Sequence, residues 1–551
     1  MRILSIAISF MLAITPAVSF SQNLQGDSLN NVFLPGLLKQ NPNASIFYNA
    51  LVATRLSDTL EQYLDPNYPE IEYEWTRQAH LDGSPSAHFN ETAYEFGDQA
   101  DRVVYPEKRE FKYTLFVIPD TALANYSDSY CTTNGIHNLE ELRQYAENVY
   151  PEGKGLADTE RGSSLNKLLS YHILPFWLSY DQFNTRQKEI IGRRLYLDEL
   201  DVEDFFETLL PHSIMRISTP YDTIRQSNGT ISWQPVGIYI NRKGTIKTGL
   251  EAEGIRIAQD YSEYNLPDGL VNTCLNGGYH YINKFVLYDN ETRNNTLNTR
   301  MRIMTSTLSP DFINSGARGR LNGATGNRAI DKIVYTYKPG FCRNVEWEED
   351  VTKFFVRYRD RSFSTYYGEE MTVRGYFDIT FRLPAVPTDG LYEIRVWNSS
   401  LGGGTSDYAD RGGVLFYTRK ENNDFIPCGI PVDLTLNLND PSIGSISFDD
   451  GLYDLPLSEQ ELLLEADAKK LRKIGYMKAP MSYSYSESTG DPISKDRGCY
   501  RIIICEQYME ADKYYYLRLR LIVDNKVFPF NFIEIVPYSV YSGKNGPEDN
   551  Y

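Results

Sequence analysis

The chain has 551 residues, of which 41% are apolar, and its 73 acidic side chains against 55 basic ones leave a net charge of -18 at pH 7. That length calls for two or more domains and the apolar share is enough to build a core for each, which excludes wholesale disorder. The acidic surplus is spread without long like-charge blocks, so a phosphate backbone is disfavoured as a partner and nucleic acid is not expected.

Residues 1–21 read as a signal peptide. One early cation, Arg2, precedes an apolar run from Ile3 to Val18 and the small-residue site Ser19-Phe20-Ser21, so cleavage is expected between Ser21 and Gln22. The run is about 16 residues and contains Pro16, short of the ~20 residues of a spanning helix. No other apolar run approaches that length, so no membrane-spanning segment is expected after signal removal. No cysteine precedes Cys131, so the leader has no thiol to lipidate. The six cysteines of an exported chain allow up to three disulfides, with fifteen connectivities on paper. Cys499 and Cys505 flank a β-rich run that would hold their Cα atoms ~20 Å apart, too far to bridge each other.

Ser45 to Leu60 places Ile46, Ala50, Ala53 and Leu60 on one helical face, with Ser45 as candidate N-cap. Residues 61–111 are rich in Pro, Gly, Tyr and charge and read as a surface elaboration. Tyr113 to Ile118 reads as a strand, Asp120 as an N-cap, and Leu139 to Tyr150 as a helix with Leu139, Leu142, Tyr145 and Val149 on its stripe. Ser164 to Asn184 then compresses a helix, a Tyr171-His-Ile-Leu-Pro175 strand and a second helix start. Gly237 to Asn241 is a short strand, and Asn276 to Leu287 carries a closing strand through Tyr279-His-Tyr281.

Taken in that order, Tyr113 to Asp120, Ser164 to Asn184 and Asn276 to Leu287 resemble the landmarks of a fasciclin domain. The resemblance implies an α+β domain, a β-wedge with helices, over residues 30–289, with the insertion at about 61–111 as a departure from the family's pattern. Such domains mostly adhere and bind.

Residues 290–327 turn polar and rich in Asn, Gly, Ser and Thr, a linker that includes the first turns of the next domain. Over 328–551 short strands separated by turn signals are expected at Lys353 to Tyr358, Met371 to Arg382, Tyr392 to Trp397, Val414 to Arg419, Val432 to Leu436, Tyr500 to Ile504, Tyr514 to Val523 and Val527 to Val536. Alternation points Tyr515, Leu517, Leu519, Leu521 and Val523 one way and Arg518 and Arg520 the other, the pattern of a half-buried antiparallel strand. One helix, Ser458 to Ile474, interrupts the pattern and stops at Gly475. The words Gly475 to Pro480, Tyr515 to Arg518 and Phe532 to Tyr541 resemble the C-terminal domain that accompanies fasciclin modules in exported proteins of Bacteroides-type gut bacteria. The expected fold is therefore multidomain: an α+β domain followed by an all-β, jelly-roll-like sandwich carrying one inserted helix.

All six histidines, His80, His88, His137, His172, His212 and His280, fall in the N-terminal half, which excludes a histidine base or metal centre from the sandwich. His172 and His280 read as structural histidines. HExxH, GxSxG and GxxxxGK[ST] motifs are absent. No catalytic residue, metal ligand set or cofactor is assigned and an enzyme is not expected, although paired carboxylates of a glycosidase leave no motif to test. Asp407, Asp410, Asp449 and Asp450 lack EF-hand spacing and read as turn acids, with calcium as the alternative.

Gly390 to Gly413 resembles the strand, glycine-rich loop and return strand of galactose-binding-like sandwiches. Tyr392, Ile394 and Val396 share one face, leaving Trp397 with Glu393 and Arg395 on the other, where the ring would stack on a sugar. The competing expectation covers Trp397 with the first domain or with the 458–474 helix. The candidate ligand residues are Trp397, Arg395, Tyr408 and Arg411. The expected partner is a glycan, beside the outer-membrane glycan-uptake system that the resemblance implies, or another envelope protein. The expected location is the periplasm, the outer-membrane surface or the extracellular space.

Overall fold

A computed structural model of the chain describes residues 31–68, 102–104, 106–180, 182–183, 203–225, 231–243, 253–259, 271–318, 333–358, 369–399, 411–438, 440–446, 454–479, 499–523, 526–544 and 548. These are mostly β, arranged in several open sheets with some helices and two hydrophobic cores. The first core draws on residues 34–286 and borrows Ile313; the second draws on 297–535 and borrows Phe205 and Ile214. No helix among the described residues is long and apolar enough to cross a membrane.

Around the first core, a sheet runs in the order Thr273–Cys274, Gly277–Tyr281, Tyr113–Val117, Ile173–Leu174. Gly277–Tyr281 lies parallel to Tyr113–Val117. Gly277 sits at φ +133° and a Cβ there would stand 2.0 Å from the Tyr113 carbonyl oxygen, so only glycine permits this approach. The helices Leu139–Val149 and Ser164–Tyr171 are capped by Asn138 and Ser163, whose side chains accept the N–H groups of Glu141 and Asn166. The helix expected over Ser45 to Leu60 is two helices, Ser45–Ala53 and Leu56–Leu60, because Arg55 turns left-handed at φ +59°. Ser45 is not an N-cap: its N–H and hydroxyl both donate to the Asp120 carboxylate, a residue from elsewhere in the chain. A second sheet, Glu203–Glu207, Ile214–Ser218, Ile238–Ile240 and Ile255–Ile257, completes this half beside the hairpin Tyr221–Arg225 and Ile231–Pro235.

Three sheets surround the second core. One runs Met301–Met304, Phe532–Pro537, Gly390–Ser399, Cys499–Met509, Tyr476–Lys478; a six-stranded one runs Val345–Trp347, Asp378–Leu383, Tyr515–Leu521, Gly413–Lys420, Ile426–Pro427, with Val432–Asp433 also on Gly413–Lys420. Two tracts expected as single strands break at corners and change sheet. Met371 to Arg382 divides at Gly375, at φ +97°, where a Cβ would meet the Val351 carbonyl oxygen at 2.4 Å. Val527 to Val536 divides at the buried Asn531. Val432 to Leu436 yields only Val432–Asp433. The helix Leu457–Lys473 ends at Gly475, φ +85°.

The third sheet joins the halves. Its order is Arg102–Val104, Ile333–Thr336, Thr352–Tyr358, Glu369–Gly375, Lys526–Phe530. Arg102–Val104 comes from the segment read as a surface elaboration, and it pairs in parallel with Ile333–Thr336. Nearby, Arg109 pairs with Asp65 and donates to the carbonyls of Gly340 (2.7 Å) and Phe341 (3.1 Å), while Tyr68 meets Phe341 edge-on at 5.2 Å. The described residues of this segment thus clasp the two cores together. The stretch read as polar linker is also built in: Met301–Met304 is a strand and Pro310–Asn314 a helix.

Candidate functional site

Alternation along Tyr515–Leu521 buries Tyr515, Leu517, Leu519 and Leu521 and leaves Tyr516, Arg518 and Arg520 on the opposite face. Register extends that face sideways. Arg518 stands opposite Thr380 and Tyr417, Tyr516 opposite Arg382 and Arg419, and Arg520 opposite Asp378 and Leu415. Directly paired residues of an antiparallel sheet project to one side within contact distance, so arginines and aromatic rings become neighbours.

These groups hold one another in place. The Arg518 guanidinium donates to both Asp378 oxygens, at 2.6 and 2.5 Å, and those bonds raise its pKa. It also approaches the rings of Tyr417 (5.7 Å) and Phe425 (5.4 Å). Arg419 lies between Phe425 at 4.5 Å and Tyr516 at 4.4 Å, a cation–π sandwich. Its Nε has no hydrogen-bond partner and it forms no ion pair among the described residues. At the margin, Arg382 pairs with Glu207 of the first half and lies 4.1 Å over the Tyr514 ring. Burial pushes the Glu207 carboxyl up, against the pull of Arg382. The outermost member, Arg520, has a side chain 58% exposed.

Such a face offers groups suited to holding a ligand. A planar guanidinium fixed between rings presents paired N–H donors to a carboxylate or sulfate, and a half-buried tyrosine ring offers a flat surface to the C–H face of a sugar.

The residues singled out from sequence lie elsewhere. Strand parity is as expected, with Tyr392, Ile394 and Val396 in the second core. The opposite side of Gly390–Ser399 does not face solvent. Trp397 is 1% exposed and packs on Phe532 at 5.1 Å, so its ring has no free face for stacking. Arg395 is fully buried among Glu393, Glu534 and Glu548, which outweigh the burial that works against its charge and raise its pKa. Arg302 and Arg501 also meet Glu534, at 2.5 and 3.4 Å. Arg411 is buried too and donates to Asn398 at 2.5 Å, while Asn398 donates to the Tyr500 hydroxyl. The side chains expected to meet a ligand here are spent on internal contacts. Tyr408, the turn acids Asp407, Asp410, Asp449 and Asp450, and the cleavage pair Ser21 and Gln22 lie outside the described residues. Among the described residues, no group of three or more His, Cys, Asp or Glu is placed to hold a metal.

The first half fixes two of its histidines, His172 and His280, as neutral struts. His172 Nε2 accepts the Val286 N–H at 3.0 Å, which assigns the Nδ1 proton to the Leu168 carbonyl at 2.8 Å. His280 bonds Leu178 O at 2.8 Å and stacks on Trp177 at 5.2 Å. Burial lowers both rings to about 4.

Alternation in the sequence is enough to place Arg518 and Arg520 on an outward face. It does not reveal Arg419, Tyr417 and Phe425, because the signal that joins them is cross-strand register rather than spacing. No protein-family model matches the chain, and no curated protein matches it.

Proposed function

We propose that this chain is an exported, non-enzymatic envelope protein that captures or adheres to glycans on the open face of its six-stranded sheet. One observation carries the reading: the Arg419 guanidinium is clamped between two rings without a carboxylate partner among the described residues. A uronate or sulfate group would supply that partner while the sugar ring rests on Tyr417. The adhesive character draws support from the three stretches that resemble a fasciclin domain, whose strands Gly277–Tyr281, Tyr113–Val117 and Ile173–Leu174 lie side by side. In this reading residues 30–289 are that domain, 328–551 are a jelly-roll-like sandwich, and the protein works beside an outer-membrane glycan-uptake system. A few ring contacts and charged hydrogen bonds give ~4 to 8 kcal/mol, millimolar to micromolar binding, so retention at a surface relies on many copies.

The test is calorimetric titration of the full chain with polygalacturonate, and with dextran as the neutral polymer. Saturable binding of the acidic polymer is expected, weakened about tenfold or more by Arg419→Ala and a few-fold by Tyr417→Ala. Binding of neither polymer, or affinity that both substitutions leave unchanged, overturns the reading. A second reading, docking of another envelope protein, is favoured by Ile426 and Ile430, which are 66% and 82% exposed around the edge strand of the same sheet. A membrane protein that co-purifies with the wild type and is lost from Ile430→Asp would select it.

A further inference from the structure

The ionic layer behind Gly390–Ser399 contains two arginines that reach it from different elements. Arg395 projects from that strand, and Arg472 from the C-terminal end of the helix Leu457–Lys473. Each is already held by other carboxylates. Arg395 bonds Glu393 through Nε and Glu534 through Nη1, the latter at 3.2 Å. Arg472 grips both oxygens of Glu393, through Nη2 at 2.8 Å and Nη1 at 3.4 Å. Both guanidiniums still meet one further carboxylate. Glu548 sets Oε1 against Nη2 of Arg395 and Oε2 against Nη1 of Arg472 at 3.0 Å, with its side chain 4% exposed. It belongs to neither element that carries the arginines and lies beyond the short helix Tyr538–Tyr541. Its fit is imperfect. Arg395 Nη2 and Glu548 Oε1 are both buried and neither has a hydrogen-bond partner, so their contact is Coulombic and lacks the aligned N–H···O of a good guanidinium–carboxylate pair.

We propose that Arg395 and Arg472 form a binding site for a single carboxylate group, which Glu548 occupies from within the chain and which takes up a free carboxylate once Glu548 is withdrawn. Glu393 and Glu534 hold the two guanidiniums whether or not Glu548 is present, so the site is preorganised. Two donors on separate guanidiniums, one to each oxygen, match the two-oxygen end of a carboxylate. A neutral amide fits worse, because its NH2 group would face a donor where an acceptor is needed. Chloride brings the charge but a single centre. The site lies in the ionic layer and not on the open face of the six-stranded sheet, and it is independent of the glycan reading.

The experiment removes the occupant with Glu548→Ala in the full-length chain and follows Tm by calorimetry as sodium formate is added. Sodium chloride and formamide at the same concentrations probe charge alone and shape alone. The expected Tm without formate is about 3 °C or more below wild type. Formate should recover about half or more of that loss and then saturate, as a bound ligand does, while chloride and formamide do not and wild type shows no such rise. Adding Arg472→Gln to Glu548→Ala should abolish the formate response. Glu548→Gln keeps the volume of the occupant, so it should lower Tm and leave formate without effect. An unchanged Tm in Glu548→Ala, a rise that chloride matches, or an equal formate response in wild type or Glu548→Gln overturns the proposal. A Glu548→Ala chain that folds only with formate supports it, and one that no formate concentration folds overturns it.

Discussion

The sheet around Gly277–Tyr281 and the sheet around Gly390–Ser399 bury polar groups by opposite means. Around the first, the interior polarity is neutral: His172 and His280 bond carbonyls, Asn41 donates to the hydroxyls of Tyr279 and Tyr281, and Thr114 donates to Phe176 O. In the second it is ionic, with Arg302, Arg395 and Arg501 around Glu534 and with Lys478 on Asp467 at 2.8 Å. Neutral groups cost little to bury once hydrogen-bonded, whereas buried charges hold only while every partner is present. The two sheets should therefore fail differently, one to acid and the other to loss of a single charge.

The largest effect is expected at Glu534. Glu534→Gln leaves the arginines around it with one formal charge fewer in a fully buried site, at a cost of about 3–5 kcal/mol. Guanidinium unfolding followed by circular dichroism measures it, and a loss under 1 kcal/mol would mean that the network is not electrostatically coupled. Next comes pH. The folded pKa values of His172 and His280 are depressed to about 4 from 6.5, so the unfolded chain takes up protons that the folded chain refuses. Their contribution is fully present above about pH 6.5 and is lost as pH falls towards 4, up to about 3 kcal/mol per ring. Stability measured between pH 7 and 4.5 should fall, and His172→Gln should flatten that slope; an unaltered slope removes His172 as its source. A smaller effect belongs to the clasp. Arg109→Ala removes the Asp65 pair and two carbonyl contacts across the halves, about 1–2 kcal/mol, and calorimetry should then resolve the two halves as separate transitions. The smallest is Arg520→Ala, within about 0.5 kcal/mol because the side chain is mostly solvated.

Features that depend on nearby residues were legible in the sequence. The helix expected at Ser458 to Ile474 is observed at Leu457–Lys473 with Gly475 as its stop, and the alternation of Tyr515–Leu521 matches its burial. Features that depend on distant partners were not. Met371 to Arg382 reads as one apolar tract, yet the backbone of Val351 forces a corner at Gly375. Trp397 has the parity of a ligand-facing ring, but parity names a side of the strand and not what covers it, and Phe532 covers it. The candidate face is half readable for the same reason: Arg518 and Arg520 announce an outward side, while the clamp on Arg419 needs Tyr516 of the paired strand and Phe425 of the turn after Arg419's own strand to come together.

The short strand Arg102–Val104 has a bearing on self-association. Ile333–Thr336 would otherwise end its sheet with a row of unpaired amides and carbonyls, and at the far end Lys526–Phe530 carries Pro529, which has no N–H to donate. Both rims are thus blunted, one by a borrowed ribbon and one by an imino acid. Deleting residues 102–104 should bare the first rim and let it pair with the same bared rim of a second molecule, turning a discrete particle into an edge-to-edge dimer that light scattering would register; a monomeric deletion variant would show that the rim is guarded by something else.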